Sequence, residues 1–351
     1  MLNQRAARLS YSAPMAYVDL SQDAAAMRRI FLSLGLAQED EPVHATALTG
    51  GVSSGIYRVD LRGGSYCVKQ ALPQLKVAKV WKVPVERVFS EVGYLRTVAG
   101  IVAGHVPRVL GEDTASKSFV MPFLGPEYRN WKAELLAGRV DPAVAATVGD
   151  VLGRIHAATA DDATIAARFA TDANFHAIRL EPYLVETARV HPALADGLLA
   201  TVRRTADTRR VLVHGDVSPK NILLGPEGPV LLDAECAWFG DPAFDLAFCL
   251  NHFLLKSAHL SAHAVALLDS FAAFTRAYWP HVRWEDSARL EARVAALLPG
   301  LALARVDGKS PVEYLDEPRR EAVRRASIAL LQDPAPSLAT IAARWARSFT
   351  A

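Results

Sequence analysis

The chain has 351 residues, with 39 Lys and Arg against 37 Asp and Glu and a formal net charge of +2. That balance provides neither the basic stripe that nucleic acid requires nor the acidic field that draws in a polycation. A hydrophobic content of 51% supports a full core, and no run of eighteen apolar residues exists to span a membrane.

The length accommodates two domains. Cys67, Cys236 and Cys249 are scattered, odd in number and without metal spacing, which fits a reducing, cytoplasmic setting. Met1 to Leu20 carries no apolar core of signal-peptide length.

Along the chain, Asp23 is a candidate N-cap for a helix over Ala24 to Leu36, with Gly35 near its stop. A β-rich stretch follows. The turn Gly50 to Gly55 precedes a strand bearing Ile56, Tyr57 and Val59. Arg62-Gly63-Gly64 makes a hairpin, and Tyr66 to Lys69 returns as the next strand. Pro84 opens a helix with Val88, Glu91, Val92 and Leu95 on related faces. Two more strands are expected over Val106–Leu110 and Lys117–Met121, before Met121-Pro122-Phe123-Leu124-Gly125 breaks the pattern. Beyond Gly125 the pattern is mainly helical. A helix starts at Asp141-Pro142, and others fall around Ala262–Trp279, Ser287–Arg305, Glu317–Leu331 and Leu338–Phe349. The expected class is therefore α+β. A small β-rich lobe runs over 1–121, a hinge over 122–125, and a larger, mainly helical lobe over 126–351.

The informative segment is Val211 to Leu224. An apolar run reaches Val213, turns polar at His214-Gly215-Asp216, and resumes after Asn221. A second apolar run, Val230 to Leu232, ends at Asp233. Two short strands thus deliver an Asp, an Asn and an Asp to one edge. Phosphoryl transfer needs those groups: a carboxylate to orient the attacking hydroxyl, and an amide and a carboxylate to hold magnesium on the nucleotide. In kinase catalytic loops the Asn lies five residues after the Asp, as Asn221 follows Asp216. The expected roles are therefore Asp216 in catalysis and Asn221 and Asp233 as metal ligands, with ATP and Mg²⁺ as cofactors. Gly51, Ser53 and Ser54 sit in a loop whose backbone N–H groups can approach phosphates. Lys69 ends the following strand, where kinases place the lysine that reaches the α- and β-phosphates. Glu91 is its expected carboxylate partner because apolar residues flank it on one helix face, with Glu86 the alternative. Met121, Phe123 and Leu124 are the expected hinge contacts for the base, Pro122 having no N–H to offer. Glu235 could reach a metal ion through water. His156 and His214 read as packed or scaffolding histidines rather than chemical participants.

The form His214-Gly215-Asp216, with Asp241-Pro242-Ala243-Phe244-Asp245-Leu246-Ala247 downstream, resembles the aminoglycoside phosphotransferase family over roughly residues 45–255. That resemblance implies the two-lobed protein-kinase-like fold and the phosphorylation of a small molecule. It also implies a structural Asp245 whose side chain ties down the catalytic loop. Val68 to Pro73, Pro84 to Leu95, Asp233 to Gly240 and Ala304 to Gly308 are in addition similar to methylthioribose kinases. Those enzymes carry a His-Thr pair in the loop and no asparagine, whereas this loop is Val217-Ser218-Pro219-Lys220-Asn221.

Acceptor-binding groups are expected from the helical lobe: Trp238 and His252 past the metal aspartate, and Arg129 and Lys132 past the hinge, with Trp131 beside them. An aromatic face with adjacent donors suits a sugar. The reading is a kinase of a small, sugar-like hydroxyl compound, with an aminoglycoside phosphotransferase as the alternative. A protein kinase is disfavoured because His-Gly-Asp lacks the arginine and no activation segment follows Asp233. An inactive binding module is disfavoured because Lys69, Asp216, Asn221 and Asp233 are all present. The expected partners are nucleotide and small-molecule acceptor, without nucleic acid or membrane, in a monomer or homodimer.

Overall fold

The computed structural model describes residues 17–49, 53–74 and 84–349. Its first layer is a five-stranded antiparallel sheet in the order β1-β2-β3-β5-β4, where β1 is Ala45–Ala47, β2 Ser54–Leu61, β3 Gly64–Ala71, β4 Gly111–Asp113 and β5 Ser118–Pro122. The β2–β3 hairpin closes at Gly64, whose φ of +139° suits a residue without Cβ. Period-2 alternation then divides β3 between two faces. Val68 faces α1 (Ala24–Ser33), joining Met27, Ile30, Phe31 and Val59 in a small core. Lys69 faces the other way, toward α2 (Arg87–Ala99), and sits opposite Ile56 on β2 and Phe119 on β5. Asp23 caps α1 by accepting from Ala26 N–H at 2.8 Å.

Two expected boundaries move. The strand expected over Val106–Leu110 is β4, starting at Gly111; Pro107 has no N–H to give a ladder, and the first sheet-like bond is Leu110 N–H to Val120 C=O at 2.8 Å. The helix expected from Pro84 begins at Arg87.

The second region is built on helices, with β6 (Arg129–Asn130), β8 (Ile222–Gly225) and β9 (Gly228–Leu231) in one small sheet and β7 (Val211–Val213) paired with β10 (Trp238–Gly240) in another. α3 (Trp131–Leu136) follows β6 directly, and α4 is Pro142–Thr159. The helix Pro242–His259 is buried from end to end except at its last residue and packs against Ser287–Asp307 and Ala264–Tyr278. Its apolar side chains join those of α4 and β7 in one large core, to which Val88, Val92 and Leu95 of α2 also belong. α2 and the helical region therefore rest on a single continuous core. A stretch that periodicity does not reveal is the π-helix His176–Val185, which holds Pro182. Among the described residues no helix is long and apolar enough to cross a membrane.

Candidate active site

A cleft of about 420 Å³ opens between the five-stranded sheet and the helical region. Ser53, Ser54, Ile56, Lys69, Glu91, Leu95 and Met121 line one side of it. Arg179, Tyr183, Asp216, Lys220, Asn221, Leu232, Asp233, Glu235 and Ser310 line the other. Gly51 lies outside the described residues.

Lys69 is the first fixed point. Its Nζ donates to both oxygens of Glu91, at 2.8 and 2.6 Å, and contacts Asp233 Oδ1. Burial alone would lower the lysine's pKa, but Asp233 and then Glu91 outweigh it and hold the ammonium charged. Glu91 experiences the opposite balance. Burial raises its carboxyl to about 7 against the pull of Lys69, a cation it shares with Asp233. Glu91 also accepts from Asp233 N–H at 3.2 Å, so one side chain of α2 holds β3 and the turn after β9 together. Glu86, the alternative partner, faces Lys117 at 3.5 Å on the exposed side.

The loop after β7 is held by hydrogen bonds from below. Asp245 accepts from His214 N–H at 2.7 Å and Gly215 N–H at 2.8 Å. His156 bridges Asp245 at 3.3 Å and Tyr278 OH at 2.8 Å. His214 Nδ1 accepts from Asp216 N–H at 3.1 Å, so its Nε2 carries the proton that faces Leu232 C=O at 3.1 Å. Burial lowers the His214 pKa and keeps this neutral form. Gly215 has φ +79°, and a Cβ there would stand 2.8 Å from Cys236 Cβ and 2.9 Å from its carbonyl oxygen. An arginine cannot occupy that position in this backbone.

Asp216 is thereby presented at the cleft with almost no exposure. Arg179 Nη2 lies 2.7 Å and Lys220 Nζ 3.3 Å from its Oδ2. Burial would raise the carboxyl, but Arg179 and then Lys220 outweigh it and lower its pKa, so Asp216 is ionised. Asn221 donates to Asp216 C=O at 3.2 Å, and Leu232 N–H donates to Asn221 C=O at 2.9 Å, which fixes the loop to the strand that ends at Asp233. Asp233 itself adopts φ +69°, and Lys69 and Lys220 overcome burial to keep it ionised. An ionised carboxylate with a quarter of its surface open, beside an amide in one cleft, offers the hard oxygen donors that Mg²⁺ takes. No cage of three or more His, Cys, Asp or Glu side chains exists among the described residues.

Glu235 lines the cleft and is paired with Arg87. Arg87, wholly buried, donates from Nε to Glu235 at 2.8 Å, from Nη1 to Pro84 C=O at 2.9 Å, and from Nη2 to the carbonyls of Ser53 and Leu72 at 2.5 and 2.9 Å. It ties the loop around Ser53 to the turn after Asp233.

Other expected residues fall differently. At the hinge, Phe123 N–H is spent on Ser65 C=O at 2.9 Å, and its ring lies under Arg58; of Phe123 and Leu124, Leu124 alone keeps a backbone donor among the described contacts. Met121 lines the cleft. Trp238 does not: its ring stacks on Phe175 at 4.2 Å and its indole N–H goes to Asp172, because β10 turns that side chain into the core. Arg129 pairs with Glu134 at 2.8 Å on an exposed rim, outside the cleft wall. Lys132 pairs with Glu313, and His252 is buried. Arg179, Arg87 and Lys220 were not assigned from sequence. Arg179 sits on the π-helix, a widened turn of the kind found at functional sites, and no spacing signal marks it.

Comparison with known proteins follows the same lines. The profile described as "Phosphotransferase enzyme family" matches residues 44–279. Methylthioribose kinase 1 of Oryza sativa subsp. japonica is 24% identical over 237 residues, covering 60% of this chain and 55% of the relative. Methylthioribose kinase of Geobacillus sp. (strain WCH70) is 24% identical over 319 residues, covering 80% of this chain and 78% of that one. The chain spans little more than half the length of the rice relatives it matches. An amicoumacin kinase solved with AMP-PNP, Ca²⁺ and its ligand shares the fold, with a TM-score of 0.54, 13% identity, and coverage of 89% of this chain and 95% of that one.

Proposed function

The chain belongs to the phosphotransferase enzyme family, and we propose that it transfers the γ-phosphate of ATP to a hydroxyl of a small, sugar-like molecule. The observation that carries this reading is the convergence of Lys69–Glu91, Asp216, Asn221 and Asp233 on one cleft. In it, residues 1–121 form the nucleotide lobe, 122–125 the hinge, and 126–351 the catalytic and acceptor lobe. The base rests against Met121 and takes its backbone donor from Leu124. The backbone around Ser53 and Ser54 and the Lys69 ammonium face the phosphates. Asp233 and Asn221 would hold Mg²⁺, which neutralises charge on the transferring phosphoryl group when bound.

Asp216 accepts a hydrogen bond from the acceptor hydroxyl and aims its oxygen at phosphorus. Its depressed pKa makes it a weak base, so orientation comes first and the proton moves late. That order suits a loose transition state in which the attacking oxygen gains little bonding early. Arg179 and Lys220 hold the carboxylate in place and put positive charge beside the path of the phosphoryl group. The kinship with methylthioribose kinases and the near-zero net charge both support a sugar-like acceptor over a polycationic antibiotic, and the three free cysteines support a cytoplasmic site of action.

ADP release measured over pentoses, methylthioribose, amino alcohols and kanamycin-type aminoglycosides tests the reading. Turnover on a sugar-like compound that requires Mg²⁺ supports it. A kcat/KM of about 10⁴ M⁻¹s⁻¹ or more for an aminoglycoside, with none for the sugars, overturns the acceptor class.

A further inference from the structure

Behind the acceptor side of the cleft lies a set of buried cations that phosphoryl transfer to a neutral sugar does not require. The stripe begins at Phe248, whose ring lies 5.6 Å from the guanidinium carbon of Arg179, the residue that holds Asp216. His252 and Lys256 follow at intervals of four on the same helix, Pro242–His259, and so occupy the same face about 6 and 12 Å further along its axis. Lys256 is 1% exposed. Its Nζ makes no hydrogen bond or ion pair among the described residues and lies 5.2 Å from the Tyr314 ring. Arg305 approaches the same region from the helix Ser287–Asp307 and donates to Ser310 Oγ at 2.8 Å and Tyr183 OH at 3.3 Å, both residues of the cleft wall.

The charges do not balance. Arg179 and Lys220 share Asp216, and Lys132 faces Glu313. Among the described residues Lys256 and Arg305 have no carboxylate partner. Three polar atoms here are also buried without a partner among the described residues: His252 Nδ1, Arg305 Nε and Tyr314 OH. His252, nine-tenths buried, brings one of these onto the stripe between Phe248 and Lys256. A buried ammonium without a counter-charge and a donor or acceptor without a partner are both costly. Clustered behind the cleft wall that Tyr183 and Ser310 form, they mark a place where a ligand supplies what is missing.

We propose that the acceptor is a hydroxyl compound bearing an acidic group, a carboxylate or a phosphate, and that Lys256, Arg305 and His252 form the subsite for that group. The inference rests on the phosphotransfer reading of the Asp216 cleft and narrows its acceptor class. The hydroxyl sits at Asp216, and the acid lies one to two helix turns away. Repulsion from Lys132 and Arg305 adds to burial in lowering the Lys256 pKa, so an arriving anion restores the charged form.

The test uses the full chain saturated with Mg²⁺ and a non-hydrolysable ATP analogue, which fills the nucleotide phosphate sites. Thermal midpoints are compared with gluconate, ribose 5-phosphate or ribose, for the wild type and for Lys256→Met and Lys256→Gln. The inference predicts that at least one acid raises the wild-type midpoint by several degrees. Ribose at equal concentration should not, and both variants should lose the response while keeping the response to nucleotide. The gluconate and ribose 5-phosphate arms separate a carboxylate from a phosphate. Equal responses to acid and ribose, no response to either acid, or an undiminished acid response in either variant overturns the subsite and leaves the phosphotransfer reading standing. A wild-type chain that ignores Mg²⁺-nucleotide overturns that reading and the subsite with it.

Discussion

Replacing Arg87 by Met removes one guanidinium that serves at least four acceptors in two parts of the cleft. Its side chain is fully buried, and its Glu235 partner keeps about a tenth of its surface open. Methionine fills the apolar stem but leaves Glu235 without its cation and releases the carbonyls of Ser53, Leu72 and Pro84. Breaking a buried pair from one side costs about 3–5 kcal/mol, because the remaining charge stays desolvated. Against a total stability of about 5–15 kcal/mol, that is a large fraction. Urea unfolding should therefore show a loss of about 3–5 kcal/mol, and the KM for ATP should rise, since the loop at Ser53 loses its anchor. The double variant Arg87→Met, Glu235→Leu should lose less than the sum of the two single changes, because no charge is then stranded. A single-variant loss below about 1 kcal/mol, or strictly additive losses, would refute the reasoning.

Asp233→Ala should abolish Mg²⁺-dependent nucleotide binding by calorimetry and Asn221→Ala should weaken it less, since one ligand is charged and the other neutral; equal affinities in Asp233→Ala and wild type would rule out the metal assignment. Gly215→Ala should lose about 1–2 kcal/mol for the left-handed backbone alone, with a further cost from the Cys236 contact, and should lower turnover by displacing Asp216; wild-type stability and rate would contradict the strain argument. Lys256 has its folded pKa lowered to about 7, by burial first and then by Lys132 and Arg305, against the weaker pull of Cys249 and Glu313. Between pH 7 and the ordinary lysine value of about 10.4 the unfolded chain then binds the extra proton, so this residue makes stability rise with pH across that window. Lys256→Met should be more stable than the wild type at pH 7 and should flatten the rise; an unchanged pH profile would contradict the burial argument.

Much of the site was legible because its geometry is local. Asp216 and Asn221 sit within six residues, and Asp233 ends a short strand, so composition and spacing place them together without knowledge of the fold. Glu91 was separable from Glu86 because Val88, Val92 and Leu95 identify the buried face of its helix. Arg179 and Arg87 were not legible. Each acts across more than thirty residues of sequence, on Asp216 and Glu235, and a lone arginine in an apolar helix has no distinguishing pattern. The structure does not bring the expected acceptor residues together in the cleft, for a related reason. Trp238 follows Asp233 closely in sequence, yet strand alternation in β10 turns it into the core. His252 entered the expectation as a single residue, whereas its relation to Lys256 and Arg305 depends on two helices packing together. The displaced strand near Pro107 shows the limit of apolar runs as strand markers where the backbone donor is missing.

The central claim is that Asp216 orients the acceptor hydroxyl in a nucleotide-dependent phosphotransferase. The most direct test is acceptor-dependent ADP release by Asp216→Asn beside the wild type, with Mg²⁺-nucleotide affinity measured on the same preparations. Orienting and base roles are worth about 10²–10⁴-fold in rate, so the variant should fall at least a hundredfold in kcat while binding nucleotide as the wild type does. More than about a tenth of wild-type kcat in the variant would contradict the account.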